Sequence, residues 1–205
     1  MPHQADALEN RSTSGLLVIA KDAAAHASLC AQFAARTVSR RYEALLLGAP
    51  SPASGRVDAP IGRDPSERLR MAVVWAPGAP GARPAASRYE TLEVLASGRA
   101  ARCAWRLETG RTHQIRVHAR HIGHPLLGDE LYGGGGGAAA NTLGAGAPPA
   151  ARAAAAALVA GLPASRPCLH AAELGFDHPA TGARMHFEVP PPEDFAAALA
   201  ALRAL

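Results

Sequence analysis

Hydrophobic and polar positions along the chain predict a strand–helix–strand beginning, a hairpin-rich middle and a sheet that resumes near the C-terminus. Gly15-Leu-Leu-Val-Ile-Ala20 is a continuous apolar run, read as a buried strand. Asp22 caps a helix over 23–36, with Ala25, Leu29, Phe33 and Ala34 on its inner face. Ser39-Arg-Arg-Tyr-Glu-Ala-Leu-Leu-Leu47 returns as a strand, and 57–61 is a short edge strand. An arginine-rich loop over 62–71 leads into apolar 71–74. Residues 87–95 and 100–107 alternate as a hairpin around Ser97-Gly98. A helix runs from Thr112 to near Gly123, and Pro125 to Gly133 form a compact loop with buried leucines.

Periodicity then fails. A five-glycine run opens residues 133–166, a Gly/Ala-rich insertion expected to be mobile through about 150, with a helical pattern only over 150–162. Order resumes with a strand over 167–176, a turn at His178-Pro-Ala-Thr-Gly182 and a strand over 184–189. Asp194 caps a terminal helix reaching Leu202. Many strands, few helices and several hairpins give an α+β fold on a mixed, mainly antiparallel sheet flanked by a few helices.

The 205 residues are 48% hydrophobic, enough for one globular domain with a core. Net charge is +4, and lysine occurs only at Lys21, so the positive charge is almost all arginine. Arginine pairs with phosphate bidentately and stacks on bases, which suits a nucleic-acid partner; a GC-rich genome produces the same bias. Cys30, Cys103 and Cys168 have no metal or redox spacing and read as buried free thiols. No apolar run is long enough to span a membrane, and no signal or transit peptide is evident.

The densest donor-rich stretch is Arg106-Leu-Glu-Thr-Gly-Arg-Thr-His-Gln-Ile-Arg-Val-His118. It passes from strand through the Thr109-Gly110 turn into a helix, a junction that favours anions. His113, Arg116 and Arg120 share one helix face, which is either a phosphate-facing surface or an ordinary solvated one. Tyr42, preceded by Arg40 and Arg41, is either a base-stacking ring or a half-buried strand tyrosine. His118, His121 and His124 do not match a zinc-ligand spacing, and the glycine run lacks the ending of a phosphate loop. Residue pattern alone therefore reaches an RNA- or DNA-binding α+β domain.

Longer motifs go further. Glu108-Thr-Gly-Arg-Thr-His-Gln-Ile-Arg-Val-His118, followed by His124-Pro-Leu-Leu-Gly-Asp-Glu-Leu-Tyr-Gly-Gly134, resembles the RluA-type pseudouridine synthases. Thr13-Ser-Gly-Leu-Leu-Val-Ile-Ala-Lys21, Arg40-Arg-Tyr42, Leu169-His-Ala171 and Phe176-x-His-Pro179 support the resemblance, which covers the chain apart from 1–12 and the insertion. Segments 62–71, 166–171 and 190–195 are most similar to a plant and algal plastid branch. The resemblance implies a pseudouridine-synthase fold and cofactor-free isomerisation of uridine in ribosomal or transfer RNA, on a base flipped into a pocket. It also implies roles: Arg116 pairs with the catalytic aspartate, Tyr42 stacks on uracil, Leu169 packs on the base, and Arg111 and His113 lie at the phosphate and pocket rim.

One position departs from that pattern. The family's aspartate stands five residues before the glycine of Thr-Ser-Gly, and that position here is Asn10. An amide cannot act as that nucleophile or base. Asp6, in His3-Gln-Ala-Asp6, is the substitute carboxylate, displaced by four residues. Residues 1–12 are accordingly expected to be an atypical N-terminus on a chain that lacks its natural beginning. The alternative is a catalytically inactive RNA-binding module of the same fold.

Overall fold

A computed structural model describes residues 13–67, 69–75, 81–164 and 166–205. In chain order the elements are β1 (Ser14–Gly15), α1 (Ala23–Ala35), β2 (Ser39–Leu47), β3 (Ser54–Asp58), β4 (Ile61–Arg63), β5 (Met71–Val73), β6 (Ala86–Leu95), β7 (Ala100–Leu107), α2 (Gln114–His121), α3 (Gly136–Gly144), α4 (Pro149–Gly161), β8 (Leu169–Asp177), β9 (Arg184–Glu188) and α5 (Glu193–Ala204).

Seven strands form one sheet, in the order β1-β8-β2-β7-β6-β3, with β9 also on β8. Only β1 is parallel to its neighbour; the other ladders are antiparallel. The expected mixed, mainly antiparallel sheet is therefore present. β4 and β5 form a separate hairpin. Along β2 the side chains alternate between faces, as the pleat requires. Leu45 and Leu47 join one core layer with α3, α4 and α5. Ala44 and Leu46 join the other, with Trp105, Ile115, Ala119, Leu126 and Leu169, and Tyr42 packs against it. The extra residue at the Arg41/Tyr42 register shift falls on β8, so Arg40 and Tyr42 share the second face.

Several expectations change. The run 15–20 is strand only at Ser14–Gly15, where it pairs with His170 and Ala171. Beyond Leu16 it finds no ladder partner among the described residues, and Leu17 and Ile19 are 56% and 74% exposed. On α1, Asp22 caps as expected, accepting from Ala25 N at 2.7 Å, but only Leu29 is buried. Phe33 instead carries the Arg40 guanidinium 5.1 Å above its ring. Cys30 is exposed, while Cys103 and Cys168 are buried. The terminal helix begins after Pro192, not Asp194; Asp194 lies in its first turn, where its carboxylate accepts from Phe195 N and pairs with Arg166.

The largest difference is at 133–150. Gly136–Gly144 is helical and pairs with Pro149–Gly161 as a helical hairpin. Small side chains let the two helices approach closely. Ala139, Leu143 and Ala155 are fully buried against the core. Tertiary packing, not intrinsic propensity, orders this glycine-rich stretch. Among the described residues no helix is long and apolar enough to cross a membrane.

Leu143→Ala is expected to lower unfolding free energy in urea by about 2–5 kcal/mol, the cost of emptying a closed core site. An unchanged midpoint would mean that 136–161 is a loose appendage.

Candidate active site

The strand–turn–helix junction is built around Gln114. Its Oε1 accepts from Thr109 Oγ1 at 2.7 Å and Arg111 N at 3.0 Å. Its Nε2 donates to Ala86 O at 2.9 Å and Ser87 Oγ at 2.8 Å. One buried amide thus closes the turn and ties it to β6 with all four of its hydrogen-bonding positions used. His113, just before α2, adopts the left-handed conformation (φ 55°), which turns the chain sharply into the helix.

Arg116, on the buried side of α2, forms a bidentate ion pair with Asp129: Nε to Oδ2 and Nη2 to Oδ1, both 2.8 Å. Both side chains are out of solvent. Asp129 Oδ1 also accepts from Tyr132 N at 3.2 Å, in a single turn of 3₁₀ helix over Glu130–Tyr132. The Tyr132 ring lies 4.8 Å from the Arg116 guanidinium carbon, so Arg116 is gripped at its edge and covered on one face. The Tyr132 hydroxyl accepts from Met71 N at 3.0 Å and shares a 2.9 Å hydrogen bond with His113 Nδ1. Burial raises the Tyr132 pKa, which keeps this hydroxyl protonated. Nη1 of Arg116 is the one terminal nitrogen of the fork that makes no hydrogen bond among the described residues.

Asp129 was not among the candidate residues. The only signal for it is its place in Leu127-Gly-Asp129, thirteen residues after Arg116, and its pairing is made by the fold. Asn10 and Asp6, proposed for the nucleophile position and its substitute, lie outside the described residues.

Tyr42 and Leu169 do come together. Leu169 is buried in the core layer that Tyr42 packs against, with Ile115 of α2 in the same layer. Burial raises the Tyr42 pKa, offset in part by the Arg40 charge. Arg40 lies beside it, with a buried Nε that has no hydrogen-bond partner among the described residues. Burial lowers the Arg40 pKa. A side chain at Gly110 would press on Arg40 Nη1, so the glycine leaves that guanidinium its space. Arg111 is half-buried and donates from Nε to Pro84 O at 3.1 Å. The supposed shared face of His113, Arg116 and Arg120 divides: Asp129 and Tyr132 cover Arg116, whereas Arg120 stays exposed.

The central histidines have separate tasks. His118 is fully buried, between Ser87 Oγ and Ala59 O at 3.0 Å each. The carbonyl can only accept, so Nε2 carries the proton and Nδ1 accepts from Ser87. His124 contacts Leu47 O. Among the described residues no group of three His, Cys, Asp or Glu side chains is placed to hold a metal.

The sequence profile of the RNA pseudouridylate synthase family matches residues 10–121, more than half of the chain. The chain belongs to that family. It is 49% identical over 186 residues to RNA pseudouridine synthase 2, chloroplastic, of Oryza sativa subsp. japonica, covering 91% of this chain and 41% of the relative. It is 45% identical over 194 residues to ribosomal large subunit pseudouridine synthase D of Pseudomonas aeruginosa, covering 95% of this chain and 55% of that protein. The chain thus spans about half the length of these relatives, or less. The solved human RNA pseudouridylate synthase domain containing 1 superposes with a TM-score of 0.64 at 29% identity, over 88% of this chain and 66% of that one.

Two outcomes follow from the site's chemistry. Asp129→Ala leaves Arg116 as an uncompensated buried charge and is expected to cost about 3–5 kcal/mol in denaturant unfolding. A change under about 1 kcal/mol would mean that the pair behaves as a solvated one. Desolvation lowers the His118 pKa below its ordinary value. The unfolded chain then binds the extra proton first, so this stability is complete above about pH 6.5 and is lost as pH falls below it. Urea midpoints should drop as pH falls from about 7 to 5, and the drop should be smaller in His118→Gln.

Proposed function

We propose that this chain is the catalytic domain of an RNA pseudouridine synthase that converts uridine to pseudouridine in ribosomal or transfer RNA, in the plastid, without a cofactor. The Arg116 clamp carries this reading. Asp129 and Tyr132 hold the guanidinium by its Nε/Nη2 edge and one ring face. Nη1 remains for a second carboxylate. β1 lies on β8 beside Leu169, with Ser14 Oγ donating to Leu169 O, so β1 stands next to the Tyr42–Leu169 layer. A carboxylate brought to Nη1 would stay ionised beside that guanidinium.

The uracil would stack on Tyr42 with Leu169 behind it, while Arg40 supplies a poorly solvated cation for the nucleotide's phosphate. The bond between ribose C1′ and N1 breaks, and uracil turns in the pocket. A bond from C5 to C1′ then forms; C5 loses its proton and N1 gains one. The carboxylate drives the first step, either by attacking the ribose or by deprotonating it. The plastid location rests on the likeness to chloroplastic proteins of rice and Arabidopsis thaliana.

A second reading is favoured by one observation: the position in question is Asn10, at the first residue of the family match. In that reading the chain binds RNA without chemistry. Chemical mapping of pseudouridine after incubation with ribosomal and transfer RNA separates the two. Product from the chain as it stands supports the enzyme. Product only from Asn10→Asp supports an intact pocket lacking its carboxylate. Product from neither sinks the catalytic reading. In whichever chain is active, Arg116→Ala should reduce the rate by about 100-fold or more, as loss of a positioned charge-stabilising group does.

A further inference from the structure

A cavity of about 200 Å³ opens between α2 and the β4–β5 hairpin, lined by Asp64, Arg70, Val73, Arg120, His121 and Tyr132. Tyr132 also covers Arg116, so the cavity adjoins the clamp.

Its hairpin wall is braced from within. The Asp64 carboxylate accepts from Ser66 Oγ at 2.7 Å, Ser66 N at 2.9 Å and Arg70 Nε at 2.7 Å. Those bonds, the Ser66 hydroxyl first, hold the Asp64 carboxyl well below the usual carboxylate range. Asp64 and Arg70 therefore neutralise each other and shape the loop. Arg120 is different. It is exposed, and its side chain makes no hydrogen bond or ion pair among the described residues. Trp75, just past β5, is 62% exposed, and its ring centroid stands 6.2 Å from that of His121. A large indole left in solvent against His121, which lines the cavity with the neighbouring Arg120, is unfavourable in isolation. It suits a partner with a flat π-face and an attached anion.

We infer that this cavity takes one nucleotide of the RNA strand next to the uridine bound at Tyr42. Its base stacks against Trp75 and His121 and its phosphate sits on Arg120. The inference rests on RNA being the substrate. Stacking of this kind tolerates any base, so the site places the strand and does not read it.

Intrinsic fluorescence tests the site without turnover. Trp105 is sealed in the core, so a ligand that stacks on tryptophan reports through Trp75. Titrating the full chain with a short oligouridylate at low salt should quench emission. Trp75→Phe should abolish the quench, and Trp75→Ala should weaken the dissociation constant about 10-fold or more. Arg120→Gln should reduce the slope of log affinity against log salt by about one. Both side chains are exposed, so thermal unfolding of the variants should match the unmodified chain. Quenching that persists in Trp75→Phe overturns the inference. So does unchanged affinity and salt slope in Trp75→Ala and Arg120→Gln, or absence of binding by the unmodified chain. Lack of pseudouridine with the quench intact contradicts the catalytic reading alone and supports this one.

Discussion

The ion pair between Arg116 and Asp129 is the constraint on which the rest of the site depends. Removing two charges from water is costly, and their attraction compensates only when the geometry is good and every remaining polar group is satisfied. Here two 2.8 Å hydrogen bonds, the Tyr132 amide and the Tyr132 ring supply that geometry, and among the described residues only Nη1 is left without a hydrogen bond. The pair also joins elements that the chain keeps apart: α2, the 124–134 loop and, through the Tyr132 hydroxyl, the start of β5. Gln114 does the corresponding work at the other end of the junction. A guanidinium so held has lost most of its rotamer freedom, and the proposed role of orienting a carboxylate requires that.

The same economy of contacts explains how the sheet serves the site. One face of β2, β7 and β8 is closed by α3, α4 and α5, a layer without a part in the proposed chemistry. The other face brings Tyr42, Leu169 and Ile115 into one layer beneath α2. Because Arg116 follows Ile115 on the helix, the packing that buries Ile115 also sets the register of Arg116. Core and site are coupled by adjacent residues on one short helix.

Much of this was legible in sequence, for identifiable reasons. β2, the β6–β7 hairpin, α2, β8 and β9 follow from alternation or helical spacing bounded by turn residues. Tyr42 and Leu169 followed from motif resemblance, and the fold brings them into one layer. Residues 16–20 are as apolar as a buried strand, yet Leu17 and Ile19 face solvent, because hydrophobicity cannot say whether a ladder partner exists. Glycine and alanine at 133–150 have no periodic face, so the helix through Ala139 and Leu143 was invisible until the core supplied its partner. Asp129 was missed because a buried ion pair is a tertiary fact; Gly128-Asp129 alone has the look of a turn. Asp6 and Asn10 fall outside the described residues, so the carboxylate opposite Nη1 stays with the proposal.

The most direct measurement is a single-turnover comparison of Asp129→Asn with its parent, in whichever chain, as it stands or with Asn10→Asp, forms pseudouridine. The substitution keeps the shape of the side chain, removes its charge and sets an amide against the Arg116 fork. A clamp that orients Arg116 for catalysis predicts a rate lowered by about 100-fold, with the RNA dissociation constant unchanged. A rate equal to the parent's, or a rate and an affinity that fall together, would contradict it.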